Sequence, residues 1–203
     1  AVGVGHNTIS GNHFGLSASV NASVALQGSY NLFTSNYVRP YSTDGGNQDH
    51  VVLSLGTSNT LTGNFLYEGF FVLTGAGSTL SGNTVYSSTY LSGVYVTGGA
   101  TGAVVSGNNI HGGQSTFAVQ VIGDDSTLSG NFITGAVGFG DVSVSGDNCS
   151  VASNRVEAGA TTVSGLRSSV TGNVLGEGGG ALTVSGGGAL VNGNHIHAAI
   201  AFS

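Results

Sequence analysis

A short motif recurs nine times along this sequence and constrains the possible folds more than any other feature. It consists of an apolar residue, any residue, glycine or serine, asparagine, any residue and a second apolar residue, as in the segment 9–14. Consecutive copies are 19 to 28 residues apart. Repeats of this length are typical of solenoids, in which each repeat forms one turn of a coil. The nine asparagines are Asn12, Asn36, Asn64, Asn83, Asn108, Asn131, Asn154, Asn173 and Asn194.

A glycine lies eight residues before the asparagine in seven of the eight later copies, and Gly98, ten residues before Asn108, is the exception. Each glycine follows a short segment of alternating apolar and polar residues, which predicts a strand with its side chains on opposite faces. We therefore expect each repeat to comprise a strand, a glycine corner, a second strand, an asparagine turn, a third strand and a connector of variable length. The seven glycines are Gly28, Gly56, Gly75, Gly123, Gly146, Gly165 and Gly186.

Two apolar positions flank each asparagine, as Leu80 and Val85 flank Asn83. If the turns stack in register, equivalent positions form two inward columns that are buried along the whole coil. Asparagine suits the turn because it tolerates left-handed backbone angles and its amide can bond to the equivalent amide one turn away. We therefore predict that the nine asparagines form a structural ladder.

This pattern resembles the right-handed parallel β-helix repeats of the pectin-lyase-like superfamily, over about residues 5 to 200. The resemblance implies an all-β, single-stranded parallel solenoid of about nine turns, formed by a single domain that spans residues 1–203. Parallel crossover connections are almost always right-handed, which supports the same hand. The superfamily includes lyases, hydrolases, epimerases, adhesins and viral tail proteins, so the resemblance implies a fold and leaves the function open.

Composition excludes several classes of function. Charged residues are 6% of the chain, lysine is absent, and the net charge is −6. Binding to nucleic acids or to anionic membranes requires clusters of Lys and Arg, which this chain lacks, so we expect neither. No run of about 20 apolar residues is present, so membrane insertion is not expected. A hydrophobic content of 39% also argues against a disordered chain.

The positions one and three residues after each asparagine should point outward. Many of them carry rings, which predicts a contact surface for a glycan or another subunit. The alternative is that the connectors fold back and cover the rings. The stripe comprises His13, Tyr37, Phe65, Tyr67, Tyr86, His111 and Phe132.

Paired Thr and Ser residues should occupy another outer face, as Thr60 and Thr62 do. Such a face could order water, which makes an ice-binding solenoid a minor alternative. Thr also simply favours the solvent face of a strand, and Leu32, Val104 and Leu190 interrupt the array.

A charged cluster stands out in the longest connector and supports an alternative enzymatic reading as a polysaccharide lyase, hydrolase or epimerase. Such an enzyme could use Asp44 and Asp49 as paired carboxylates, with His50 as a base and Arg39 and Glu68 nearby. A solvated loop explains the same residues, and we favour it over a catalytic site.

Other candidate groups have structural explanations. Asp124 and Asp125 fall at a corner, where turn formation accounts for them, and Cys149 is expected to be a small buried side chain. His195 and His197 lack a third ligand, so we expect neither a metal nor a cofactor. Two sequons, at Asn21 and Asn148, match the N-glycosylation pattern and leave its occurrence open.

No capping segment is evident at either end, so either the domain was cut from a longer chain or neighbours cover its ends. The second case predicts that the chain associates with copies of itself, end to end or laterally. We therefore expect a non-catalytic structural rod that is extracellular or on a cell or virion surface. It would be a filament or fibre subunit, or the shaft of a tail spike or an adhesin, with polysaccharide as a further partner.

Overall fold

The computed structural model describes residues 5–16, 23–40, 50–87, 92–113, 117–135, 142–157, 159–176, 180–197 and 199–202. In this part of the chain every regular element is a β-strand, and 27 strands form three parallel sheets of nine strands each. The chain visits the three sheets in turn and then starts the next coil, so the predicted all-β parallel solenoid is confirmed. Seven turns lie between two neighbours, and two are terminal. The right-handed sense of the coil stays a prediction.

Sheet 1 contains the strands that lead into the asparagine turns. Its strands are β1 (Thr8–Ser10), β4 (Leu32–Thr34), β7 (Thr60–Thr62), β10 (Thr79–Ser81), β13 (Val104–Ser106), β16 (Thr127–Ser129), β19 (Ser150–Ala152), β22 (Ser169–Thr171) and β25 (Leu190–Asn192).

Sheet 2 follows the asparagine turns. Its strands are β2 (His13–Leu16), β5 (Tyr37–Pro40), β8 (Phe65–Tyr67), β11 (Thr84–Tyr86), β14 (Asn109–His111), β17 (Phe132–Thr134), β20 (Arg155–Val156), β23 (Val174–Leu175) and β26 (His195–Ile196).

Sheet 3 ends at the glycine corners. Its strands are β3 (Ser23–Leu26), β6 (His50–Ser54), β9 (Gly69–Leu73), β12 (Val94–Val96), β15 (Val119–Val121), β18 (Val142–Val144), β21 (Thr161–Val163), β24 (Leu182–Val184) and β27 (Ile200–Phe202).

Equivalent residues of successive turns lie opposite one another. Leu80, for example, pairs with Leu61 in the preceding turn and with Val105 in the following turn. The inward apolar side chains of all three sheets form one continuous core. Stacking of equivalent side chains in successive turns buries this apolar surface away from water. Core positions are nearly fully buried in the interior turns, whereas Ile9 and Val191 in the terminal turns are half-buried.

The glycine corners bring the backbones of neighbouring turns into direct contact. A Cβ atom on Gly165 would overlap with the carbonyl oxygen of Gly146, and one on Gly186 would overlap with the carbonyl oxygen of Gly165. This contact explains the recurrent glycine eight residues before the asparagine. Ala100 takes that position in the fifth turn, where the corner is held by hydrogen bonds from Ala100 N to Thr97 O and from Ala103 N to Ala100 O.

The gaps between the described ranges all fall in the connectors from sheet 2 to sheet 3, where the repeat varies most in length. Among the described residues, no helix has the length and apolar character needed to cross a membrane.

Candidate functional site

The nine motif asparagines form a continuous hydrogen-bonded ladder. Each of the first eight donates its backbone N–H and its Nδ2–H to Oδ1 of the asparagine in the next turn. For Asn108 these two distances to Oδ1 of Asn131 are both 2.9 Å, and Nδ2 also lies 3.0 Å from the carbonyl oxygen of Leu80. Asn108 is only 2% exposed, so without the ladder its side-chain amide would lie in the core without hydrogen-bond partners.

A second, shorter ladder precedes sheet 1 and was not predicted. Asn7 donates its backbone N–H to Oδ1 of Asn31 over 3.1 Å, and Asn31 donates in the same way to Asn59 over 2.8 Å. In the sequence, an asparagine lies five residues before each of the first three motif asparagines. In the later turns a small residue occupies this position, namely Ser78, Ala103, Ser126, Cys149, Ser168 and Ala189.

Cys149 belongs to this inward column and has the buried environment that we expected. Its side chain is 2% exposed, and its Sγ lies 3.4 Å from the carbonyl oxygen of Gly123. Burial raises the pKa of the Cys149 thiol, with the nearby carboxylates Asp124, Asp125 and Asp147 acting in the same direction. The thiol is therefore protonated and a poor nucleophile.

Rings cover the outer face of sheet 2 and touch from turn to turn. The ring centroids of Tyr37 and Phe65 are 5.1 Å apart and nearly parallel, and those of Tyr86 and His111 are 4.4 Å apart and nearly parallel. The contacts begin between His13 and Tyr37. We call the set the aromatic column: His13, Tyr37, Phe65, Tyr67, Tyr86, His111 and Phe132.

Two of the six ring contacts in the aromatic column are near-parallel, those of Tyr37 with Phe65 and of Tyr86 with His111. The other four are tilted or edge-to-face. The ring of Tyr67 is tilted by 51° to that of Tyr86. Tyr67 is 45% exposed and Tyr86 is 39% exposed. At the end of the aromatic column the guanidinium of Arg155 lies over the Phe132 ring, with Cζ 5.5 Å from the ring centroid.

His111 is the most constrained member of the aromatic column. Its Nδ1 lies 2.8 Å from Oγ1 of Thr134, while its Nε2 is buried and has no hydrogen-bond partner in the described structure. Burial lowers the pKa of His111 below its ordinary value of 6.5, although Glu157 acts in the opposite direction.

This lowered pKa predicts a pH-dependent stability. The unfolded chain takes up a proton on His111 before the folded chain does, so the stability from the neutral ring is present above pH 6.5 and is lost below it. We expect the urea midpoint to fall between about pH 7.5 and about pH 5, and to fall less in a His111→Gln variant. The control, His13→Gln, removes an exposed histidine of the same column and should keep the wild-type dependence. If the urea midpoint of His111→Gln fell with pH as much as that of the wild type, His111 would not be the source of the pH dependence.

A shallow hollow lies beside the first two turns at the start of the aromatic column. Its volume is about 460 Å³, and Gly11, Asn12, His13, Ser35, Tyr37 and Arg39 line it. Arg39 is exposed and has no ion pair in the described structure. The other two cations are engaged, since Arg155 pairs with Glu157 at 3.0 Å and Nε of Arg167 lies 2.9 Å from Oδ1 of Asn148.

The residues of the alternative enzymatic site are only partly described. Asp44 and Asp49 lie outside the described residues, and the backbone of His50 begins β6. Arg39 is exposed at the end of β5, and Glu68 is exposed between β8 and β9. The described structure forms no ion pair between Arg39 and Glu68.

The aspartates that follow the glycine corners have structural partners. Oδ1 of Asp124 accepts a hydrogen bond from the backbone N–H of Asp147, and Oδ1 of Asp147 accepts one from Leu166, both at 2.8 Å. Oδ1 of Asp125 likewise accepts from Nδ2 of Asn148 at 3.2 Å. These carboxylates thus join successive corners, as turn formation predicts. Of the two sequons, Asn148 is exposed and Asn21 lies outside the described residues.

The outer face of sheet 1 carries the paired Ser and Thr residues and no charged side chain. Within it Oγ of Ser81 donates to Oγ1 of Thr62 over 3.2 Å. Leu32, Val104 and Leu190 occupy hydroxyl positions of one column, so the array is discontinuous.

The rings of His195 and His197 stack at 4.4 Å. Across the described ranges, no three His, Cys, Asp or Glu side chains are grouped so that they could hold a metal ion.

Comparison with protein-family models, with curated proteins and with solved structures found no match to this chain. The functional conclusion therefore depends on the geometry of the chain itself.

Proposed function

We propose that this chain is a non-catalytic extracellular rod, either a fibre subunit or the shaft of a tail spike or an adhesin on a cell or virion surface, and that its aromatic column contacts carbohydrate. We also infer that it belongs to the pectin-lyase-like superfamily of right-handed parallel β-helices. The inward asparagine at the same corner of every turn supports this membership.

Use of polar groups within the coil supports a structural role. The ladder asparagines bond to one another, and the corner aspartates Asp124 and Asp147 accept backbone N–H groups. Glu157 is paired with Arg155. The asparagines and the corner aspartates join successive turns, and the Arg155–Glu157 pair lies within one turn. A stack of nine turns at about 4.8 Å spacing gives a rod about 43 Å tall.

The aromatic column is the observation that carries the proposed contact. It crosses six turns without interruption and keeps Tyr67 and Tyr86 exposed. Tyrosine combines an apolar ring with a hydroxyl group that can form hydrogen bonds. It therefore suits contact with a sugar, which presents both CH groups and hydroxyl groups. The direction of the column along the rod fits a linear polysaccharide better than a compact ligand.

The test is retention of the protein on immobilised polysaccharides, with the size of the polysaccharide measured before and after incubation. We expect retention without shortening. Tyr67→Ala should weaken retention about tenfold, because loss of one aromatic contact costs about 1.4 kcal/mol. Tyr95→Ala is the matched control, since Tyr95 lies half-buried on the outer face of β12, away from the aromatic column.

Two results would overturn parts of this proposal. Shortening of a polysaccharide by the wild-type protein but not by Asp49→Ala would establish the alternative lyase, hydrolase or epimerase. Equal retention of Tyr67→Ala and the wild type would place the carbohydrate contact elsewhere.

A further inference from the structure

The rings of the aromatic column follow one another at the spacing of the turns. From Tyr37 to Phe132 they lie on the five successive strands β5, β8, β11, β14 and β17, and consecutive ring centroids are 5.1, 5.7, 4.4 and 6.4 Å apart. These steps are close to the spacing of neighbouring parallel strands, which is about 4.8 Å. In an extended chain of 1,4-linked pyranoses, one sugar ring advances by nearly the same distance. Such a chain can therefore place one sugar ring beside each turn.

The outer face of sheet 2 is uncharged in the middle of the aromatic column. Its outward side chains on β8, β11, β14 and β17 are aromatic, hydroxyl, amide or imidazole groups, such as Phe65, Thr84 and Asn109. Burial keeps the pKa of His111 below its ordinary value of 6.5, so this ring is neutral at pH 7. The face therefore offers hydrogen bonds and ring contacts without a charge.

The charged groups around this face also favour a neutral ligand. Arg39 lies on β5, one turn earlier, and Arg155, one turn later, is already paired with Glu157. The sequence has no Arg or Lys between Arg39 and Arg155. Glu68 directly follows Tyr67 and is exposed. A sugar carboxylate in the third to fifth turns would therefore meet a net charge of −6 and no compensating Arg or Lys.

Two polar atoms in the middle of the aromatic column have no hydrogen-bond partner in the described structure. They are Oδ1 of Asn109 and Nε2 of His111, and both are buried. The two residues point outward from the same strand, β14, two positions apart. Buried polar atoms without partners cost free energy. A sugar hydroxyl, which both donates and accepts, would pair with either atom once that side chain turns toward the ligand.

We propose that the aromatic column binds a neutral, extended polysaccharide of 1,4-linked pyranoses, which runs along the rod with one sugar ring beside each turn. This inference rests on the proposed function, because it specifies the chemistry of the carbohydrate that the column contacts. Ring spacing selects the extended shape, and the uncharged face selects the neutral chain.

Charge is tested by titration calorimetry of the 203-residue chain with two series of oligosaccharides. Oligomers of β-1,4-linked mannose and of β-1,4-linked mannuronate share their linkage, but mannuronate has a carboxylate in place of the hydroxymethyl group. We expect the mannuronate pentamer to bind about tenfold more weakly than the mannose pentamer at low ionic strength. Equal or tighter binding of the mannuronate pentamer would overturn the inference.

Shape is tested by chain length and by linkage. Affinity for the mannose oligomers should rise up to about five sugars and then stay constant, because rings lie on five successive strands from β5 to β17. Cellopentaose, which is extended, should bind about tenfold more tightly than maltopentaose, because the coiled α-1,4-linked chain loses at least one ring contact. An affinity that stops rising at two sugars, or a preference for maltopentaose, would contradict one sugar per turn.

Thr84→Lys separates charge from shape. Thr84 lies between Phe65 and Asn109 in the register of sheet 2, so a lysine there should raise affinity for the mannuronate pentamer about tenfold. The matched control is Thr162→Lys, because Thr162 is half-buried on the outer face of β21 in sheet 3 and should leave the preference unchanged. No gain in a folded Thr84→Lys variant would contradict the role of charge. The wild-type comparisons do not depend on either variant.

The failure of this inference is distinguishable from the failure of the proposed function. Retention of the wild type on an acidic polysaccharide, weakened by Tyr67→Ala, would keep the carbohydrate contact at the aromatic column and overturn only the neutral ligand. A wild-type protein that no polysaccharide retains would overturn both.

Discussion

Replacement of Asn108 by alanine is expected to lower the free energy of unfolding by about 3–5 kcal/mol. The side chain accepts hydrogen bonds from the backbone N–H and Nδ2 of Asn83 at 2.9 and 3.0 Å, and it donates to Leu80 and Asn131. Alanine leaves the Asn83 N–H and the Leu80 carbonyl group without these partners in a part of the coil that excludes water. Each buried polar group left unpaired costs about 1–3 kcal/mol, and the lost volume adds to this.

Urea denaturation followed by circular dichroism measures this loss. Asn192→Ala is the matched control, because Asn192 is exposed on the outer face of sheet 1 and should change stability by less than about 0.5 kcal/mol. A cost below about 1 kcal/mol for Asn108→Ala would mean that the ladder does not hold the turns together.

Gly165→Ala is expected to destabilise the coil by about 3 kcal/mol. The added methyl group would overlap with the carbonyl oxygen of Gly146 in the preceding turn, so one backbone must move. Neither can move freely, because the corner is tied to its neighbours by hydrogen bonds such as the 2.8 Å bond from Asn148 N to Leu166 O. Overpacking against backbone is costlier than overpacking against a side chain that can change rotamer.

Gly98→Ala separates this contact from a general loss of glycine. A Cβ atom on Gly98 would lie 3.7 Å from Cγ2 of Ile122, which is an ordinary contact, so the thermal midpoint of Gly98→Ala should match the wild type. If the two variants melt together, close approach is not the reason for the recurrent glycines.

The period of the motif was sufficient to predict the three parallel sheets, because a solenoid repeats one set of contacts in every turn. The apolar positions around Leu80 and the glycine at position 165 each have one physical role, and that role recurs along the coil. Local patterns of this kind specify the fold because every turn repeats the same constraint.

Features that do not recur were missed or left open. The ladder of Asn7, Asn31 and Asn59 is replaced by small residues after three turns, so it has too few copies to be recognised as a repeat. The corner around Ala100 departs from the glycine rule because a different turn holds it. The pairing of Arg155 with Glu157 joins outward positions two residues apart, which the inward pattern does not constrain.

The candidate surfaces are harder to predict from sequence for the same reason. Outward positions such as Tyr67 and Tyr86 need only suit a strand, so their identity follows from contacts that the repeat does not encode. The stripe could be predicted because alternation fixes which residues face outward. The near-parallel stacking of Tyr37 on Phe65 and of Tyr86 on His111 depends on side-chain orientations that no spacing determines.

Amide hydrogen exchange, measured by NMR on the assigned chain, tests most directly whether the asparagines stack into one continuous ladder. The account predicts that the backbone N–H groups of Asn64, Asn83 and Asn108 exchange only through global unfolding, since each donates to a buried Oδ1. The N–H of Asn194 should exchange faster than these, because it donates to no asparagine Oδ1 in the described structure. Rapid exchange at Asn83 and Asn108 in the folded protein would contradict the ladder and the coil that it organises.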